Sequence, residues 1–319
     1  MRVAIIGRSE LIYNSAICLL EAGFHIPLII TSKEAPEYAI KSKDFEDLAN
    51  RIGAKFIYAP KITEEVINQV KSLPAIDVSV SINYSGIISQ EVIDLFPLGI
   101  LNAHGGDLPR YRGNACQAWA IINGEKQIGL CIHKMIGGEL DSGPIIEREY
   151  LPIDINTKIG MVFDWMVTRI PVLMLSSLQK LRADKKYVLE HQSLDPKVAL
   201  RCYSRRPEDG FINWNLPNID ILRLINASSR PYSGAYTYLN NLKITVWEAE
   251  IFQDDEVFCG IPGQITAFSH NEKTVTVLCG TGKLKLSVLN WEDNGKKFED
   301  VFKSVRARFF LNSFSALTF

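Results

Sequence analysis

Apolar residues recur in two rhythms along this 319-residue chain, and the change between them falls near residue 200. In the first half, short apolar runs stand between longer amphipathic segments. RVAIIG, PLIIT, FIYAP, VSVSI and GILNA are the runs; SAICLLEAG, YAIKSKDFEDLANRIG, TEEVINQVKSL and SQEVIDLF lie between them with apolar positions three and four apart. Continuous apolar strands alternating with amphipathic helices predict a Rossmann-like, doubly wound α/β domain, its parallel sheet covered on both faces. GLCIHKM and PIIEREYLPI add two strands, and a long helix follows from about Thr157 to Ala183.

Beyond residue 204 the period shortens to two. KITVWEAEI, TVTVLCG and KLKLSVLNW alternate apolar and polar positions between Gly, Asn and Pro, which predicts a small β-barrel-like domain. The segment ADKKYVLEHQSLDPK carries charge and a proline and marks the boundary, giving domains at 1–190 and 204–319. Trp214, Trp247 and Trp291 read most simply as core or partner-facing aromatics of the second domain. That domain could supply a homodimer contact, which nothing in the sequence specifies.

Composition narrows the class. With 47% hydrophobic and 22% charged residues and a net charge of −1, the chain reads as an ordinary globular protein. No apolar run in the sequence approaches the roughly 18–20 residues that span a bilayer, and MRVAIIG is too short and strand-like for a signal peptide. Cytoplasm is the expected location, with no membrane partner. Six cysteines contain no CxxC and five histidines no HxxxH, so neither disulfides nor a metal site is expected.

The chemistry gathers around LNAHGGDLPRYRG, residues 101–113. Strand geometry sends alternate side chains to one face, so Asn102 and His104 point together at the carboxyl end of a core strand. Ligands of doubly wound sheets bind at such ends. Asp141 follows in the Gly-flanked turn ELDSGPI. An Asn, a His and an Asp suit acyl-type transfer to an amine. The imidazole takes a proton, the carboxylate orients it, and the amide donates to the oxyanion. No Ser or Cys stands out as a nucleophile, which leaves direct attack by the substrate. By spacing alone, His104 could equally be a satisfied core residue and Asp141 a turn former.

Asn102-x-His104, LPRYRG and Asp141-Ser-Gly-Pro resemble the signature of the 10-formyltetrahydrofolate-dependent formyltransferases, usually NxHxSLLPKYRG followed by LDTG. INGEKQIGLCIHKM, SRRPEDGFINWN, RPYSGAYTYLNNLKITVWEAE and IPGQI extend the resemblance over roughly residues 1–295. It implies Asn102, His104 and Asp141 as the catalytic set, with His104 as the base. It also implies a folate pocket lined by Asn83, Tyr84, Gly86, Ile87 and Ile88 and by Gly138, Glu139 and Leu140, chiefly through their backbone. One departure is plain: Gly106 and Asp107 stand where the family has Ser and Leu. Asp107 is then either an extra acceptor near the substrate amine or a cap for its own loop.

The resemblance leaves two kinds of acceptor, the amine of a nucleotide-linked amino sugar or initiator aminoacyl-tRNA. Residues 201–319 carry 14 Lys and Arg against 13 Asp and Glu, a balance of +1 that gives nucleic acid little to hold. Trp119 and His133 are similar to the amino-sugar branch, with dTDP as the expected carrier, although Trp119 fits a helix core equally well. Arg8 and Ser9, at the end of the first strand, could meet a diphosphate; Arg8 could also be a solvated charge. Arg110, Tyr111 and Arg112 could touch the sugar substrate or pin their own loop. The single glycine of GRSELI fails the dinucleotide fingerprint, which weighs against hydride chemistry. A non-catalytic folate- or nucleotide-binding protein is the remaining alternative, against which the intact set of three argues.

Overall fold

The computed structural model describes residues 1–193, 195–293 and 295–310. The chain divides into two compact units. Met1–Cys116, Gln127–Pro152 and Val162–Tyr203 form the first; Gln117–Lys126, Ile153–Met161 and the chain from Ser204 form the second.

The first unit is built on a seven-stranded sheet. In chain order its strands are β1 (Arg2–Gly7), β2 (His25–Thr31), β3 (Lys55–Tyr58), β4 (Val78–Ile82) and β5 (Ile100–His104). A two-residue strand, β6 (Arg112–Gly113), lies outside that sheet, and β7 (Gln127–Lys134) and β8 (Ile145–Pro152) complete it. Helices α1 (Glu10–Glu21), α2 (Ser42–Ile52), α3 (Glu64–Lys71) and α4 (Gln90–Ile93) fall where the apolar spacing predicts them. In α2, for example, Phe45, Leu48 and Ala49 are buried at helical spacing. The Asp44 carboxylate accepts the Lys41 N–H at its start, and Gly53 at φ 70° ends it.

Strand order is β3-β2-β1-β4-β5-β7-β8. The chain winds outward from β1 to β3, then returns to lay β4 against the other side of β1, so the topological switch lies between β1 and β4. The first five strands run parallel, and β7 and β8 add antiparallel pairs. A loop rather than a crossover helix joins these last two, which permits only antiparallel pairing.

Helix α5 (Cys116–Ile122) precedes β7, and α6 (Ile159–Ala183) follows β8. In α6, Val162, Met166, Ile170, Met174, Leu178 and Leu181 form one buried stripe. Arg169 makes two 2.7 Å bonds to Glu149 of β8, and Lys180 one of 2.6 Å to Glu147. The sequence pattern predicts no apolar run long enough for a bilayer. Here it needs correction, since α6 is long and apolar enough to cross one, with a mean hydropathy of 1.4 over 18 residues. The charges Asp164, Arg169, Lys180 and Arg182 interrupt the apolar run in the sequence.

β9 (Arg201–Cys202) pairs with β6. In the second unit, a 3₁₀ turn (Pro207–Gly210) leads into α7 (Asn218–Ser228), a helix absent from the all-β pattern expected there. An antiparallel sheet follows: β10 (Ala235–Leu239), β11 (Leu242–Phe252), β12 (Ile265–Ser269), β13 (Thr274–Leu278) and β14 (Lys283–Trp291), with a last turn of helix, α8 (Phe298–Val301). Strand order is β10-β11-β14-β13-β12. Residues 308–310 bridge the two outer strands, Phe310 pairing with Tyr238 and Arg308 with Gln264, so both edges are occupied as in a barrel. Between those bridges Phe309 is 2% exposed and stacks on Trp214 with centroids 5.5 Å apart. The Trp214 indole N–H donates to Thr237 Oγ1 at 2.9 Å.

Truncating Phe309 to Ala removes this stacked ring from a filled core. The variant is expected to lose about 3–5 kcal/mol, read as a lower urea midpoint followed by tryptophan fluorescence; an unchanged midpoint would place the closing segment outside the folded unit.

Candidate active site

The register between β5 and β7 sets the site. Asn102 lies opposite His133, and His104 opposite Cys131. Because side chains alternate, Asn102 and His104 share a face, as the sequence pattern predicts, and His133 joins them from the neighbouring strand. Asp141, in the loop between β7 and β8, closes the group. His104 Nδ1 lies 3.5 Å from Asp141 Oδ2, and His133 Nε2 lies 3.4 Å from Asp141 Oδ1. Asn102 Nδ2 stands 3.2 Å from His133 Nε2. The His133 Nδ1–H donates to the Lys134 carbonyl at 2.9 Å, which leaves Nε2 free to accept from the Asn102 amide.

Asp141 has φ 48°, a left-handed conformation uncommon outside glycine, and the surroundings hold it there. Gln192 donates to the carbonyls of Asp141 and Gly143 at 2.8 and 2.7 Å, and its own oxygen accepts from Arg112 at 2.8 Å. The Gly113 N–H donates to Asp141 Oδ2 at 2.9 Å. Gly113 sits at φ 101°, and a Cβ there would lie 2.4 Å from the Cys202 carbonyl, so only glycine allows β6 and β9 to run this close.

Burial opposes ionisation of Asp141. The two imidazoles and the Gly113 N–H outweigh it and hold the carboxyl well below the usual carboxylate range. His104 is 7% exposed, and burial lowers its pKa against the pull of Asp141. The result is a charged carboxylate beside an imidazole biased toward the neutral form, the protonation states that a base and its electrostatic partner need.

The other expected residues fall into separate groups. Arg8 bridges the loops after three strands, bonding the carbonyls of Asn83 (2.8 Å) and Lys33 (2.7 Å), while Asn83 Nδ2 reaches Ser9 Oγ at 3.4 Å. Ser9 and Asn83 both have positive φ, at the switch between β1 and β4. The Tyr84 hydroxyl is engaged with the Ala59 carbonyl at 2.6 Å, Ile88 is buried, and a Cβ on Gly86 would press on Pro60 and Tyr84. Ile87 is 91% exposed and Leu140 38%. Gly138 is open, Glu139 accepts from Ser142, and the loop meets the start of α4 through Gly137 N–H to Gln90 at 2.9 Å.

Asp107 is not a free acceptor. Its carboxylate takes bonds from Arg148 (2.5 Å) and Tyr150 (2.9 Å), which makes it the anchor of its loop. Arg110 lies over the ring of Tyr111, which is itself buried, and Arg112 braces Gln192. Trp119 belongs to the second unit, where the Arg205 guanidinium sits 5.8 Å from its ring. From the sequence, His133 is only a marker of the amino-sugar branch. A histidine in the strand that pairs with β5 was the available signal, but its partner needed the register. Among the described residues no group of three or more His, Cys, Asp or Glu side chains is arranged to hold a metal ion.

Residues 1–165 match the formyl transferase family and residues 205–305 the formyl transferase C-terminal domain. Solved structures share the fold at low identity. WlaRD, a sugar 3N-formyl transferase crystallised with dTDP and 5-N-formyl-THF, superposes with a TM-score of 0.66 at 19% identity, covering 90% of this chain and 97% of that one. The N-formyltransferase from Helicobacter canadensis, in complex with folinic acid and dTDP-3-aminofucose, gives 0.67 at 19%, covering 90% and 99%. A HypX variant from Aquifex aeolicus gives 0.59 at 15%; it covers 92% of this chain, which spans only 45% of the HypX length.

The pKa directions dictate a pH dependence. His104 is lowered in the fold, so below about pH 6.5 the unfolded chain takes up its proton first and stability falls. Asp141 is depressed, so its contribution is present above about pH 3.9 and is lost as pH falls below it. Urea titrations from pH 3 to 8 should show Asp141→Asn less stable than the parent at neutral pH, the gap closing below about pH 4; a constant gap would contradict this.

Proposed function

The chain belongs to the formyl transferase family, and from that premise we propose that it moves the formyl group of 10-formyltetrahydrofolate to the amine of a nucleoside-diphosphate-linked 3- or 4-amino-deoxyhexose, with dTDP as carrier. Such a product would serve surface polysaccharide or O-antigen synthesis. The observation that carries the reading is the convergence of Asn102, His104 and His133 on the Asp141 carboxylate at the carboxyl end of β5.

Each group has one task. The neutral His104 imidazole removes a proton from the amine as its nitrogen bonds to the formyl carbon, and returns it to the departing nitrogen. The Asn102 amide N–H donates to the carbonyl oxygen as it gains negative charge. Asp141 stabilises the imidazolium formed between these steps, and direct transfer needs no Ser or Cys nucleophile. The loops at 83–88 and 136–141 suit the folate. Ile87 and Leu140 present exposed apolar surface for a flat heteroaromatic ring, and the glycine-containing backbone supplies hydrogen-bonding groups.

The sugar acceptor is favoured by the near-neutral charge of residues 201–319 and by the two solved relatives described with dTDP or dTDP-3-aminofucose. At the β1–β4 switch, Arg8 and Ser9 are the candidates for the diphosphate, and Arg110 for the sugar side of the substrate.

The test is mass spectrometry after incubation with 10-formyltetrahydrofolate and a panel of nucleotide-linked 3- and 4-amino sugars, with initiator methionyl-tRNA alongside. A formyl mass gain on one sugar is expected; a gain on the tRNA alone would replace this reading with the tRNA enzyme. His104→Ala and Asn102→Ala should each lower kcat about 10²–10⁴-fold while folate binding persists. Near-normal turnover in either variant would remove that residue from the mechanism.

A further inference from the structure

One nitrogen of the candidate base is already engaged. His104 Nε2 lies 2.6 Å from the Tyr111 carbonyl oxygen. A carbonyl can only accept, so this nitrogen carries the hydrogen. Tyr111 reaches the ring by adopting φ 55°, an uncommon conformation for a bulky residue, with its side chain buried.

The contact exists because residue 106 has no side chain. A Cβ there would lie 2.3 Å from the Tyr111 oxygen and 2.5 Å from His104 Nε2. The loop has little room to yield. The Gly106 carbonyl accepts from the Cys131 thiol (3.4 Å) and the Leu108 N–H (3.0 Å). One residue on, Asp107 is fastened to Arg148 and Tyr150, and Arg148 also binds the Leu108 carbonyl at 2.8 Å.

We infer that the Tyr111 carbonyl, admitted by the bare backbone of Gly106, fixes His104 as the Nε2–H tautomer and makes Nδ1 the nitrogen that receives the amine proton. Nδ1 is the nitrogen that faces Asp141. As the amine N–H bond breaks, its proton goes to Nδ1 and its electron pair stays on the attacking nitrogen. The imidazolium then has both N–H groups matched, one to Tyr111 and one toward the Asp141 carboxylate. When the leaving nitrogen takes the Nδ1 proton, the starting tautomer returns. Gly106 and Tyr111 are positioning residues. The source of the proton rests on the formyl-transfer reading; the tautomer does not.

Nitrogen-15 NMR of the histidine-labelled enzyme, with His104 assigned by His104→Gln, reads the tautomer directly. A neutral Nε2–H ring near pH 7 is expected; an Nδ1–H ring, or one charged throughout pH 6–8, overturns the inference. In Gly106→Ala the His104 signals should shift toward mixed tautomers. Its kcat should fall about 10–100-fold, with KM for both substrates within about twofold and the acid limb of the pH–rate profile displaced. Unchanged signals and kcat would remove Gly106 from this role, and if the variant fails to fold, the parent spectrum alone decides. An Nε2–H ring in an enzyme that formylates none of the amines tested would defeat the proposed function and leave the tautomer standing.

Discussion

A carboxylate that stays charged with only 15% of its side chain exposed constrains everything around it. Taking Asp141 out of water costs several kcal/mol unless its lone pairs are met. The fold gives it one backbone N–H, from Gly113, and sets two imidazoles within 3.5 Å, all drawn from three separate segments. Much of the local architecture serves to bring those segments in. The β6–β9 pair sets Gly113 in place, Gln192 holds the backbone around Asp141 and Gly143, and Arg112 steadies Gln192. Positive φ at Asp141 marks where this arrangement prevailed over backbone preference.

The two histidines at this carboxylate differ in what they can do. His133 has its Nδ1–H on a neighbouring carbonyl and its Nε2 against Asn102, so it orients the amide. His104 is turned the other way, with Nε2 toward a loop carbonyl and Nδ1 toward Asp141. The rings meet edge to face, centroids 6.3 Å apart, and the polarised face of the site lies between them. The doubly wound sheet supplies the location, and the antiparallel strand added at its edge supplies the second imidazole.

The loop after β5 shows how a local departure in sequence is absorbed. Gly106 and Asp107 act in opposite senses: the first removes atoms so that a carbonyl can reach the ring, and the second adds a charge that anchors the loop to β8. The anchor holds firmly because the Arg148 side chain is mostly buried and joined also to Glu190 and the Leu108 carbonyl. In the second unit the same economy appears at the chain's closing segment, where residues 308–310 occupy both sheet edges and Phe309 fills the core between them.

Periodicity alone determined the strands β1 to β5, the helices between them and the change to an antiparallel domain, because side-chain alternation and helical spacing are local properties. It also put Asn102 and His104 on one face, since two residues apart in a strand can point nowhere else. Asp141 could be named from the motif, but not its place beside two imidazoles. Only the tertiary structure decided that His133 lies opposite Asn102, because register is a relation between strands 31 positions apart in sequence. Nor could the sequence assign Asp107 to its loop rather than to a substrate, for Arg148 and Tyr150 lie some 40 positions away and meet it through the pairing of β7 with β8. What stayed hidden was in each case a contact between distant segments, closed by packing that no local pattern encodes.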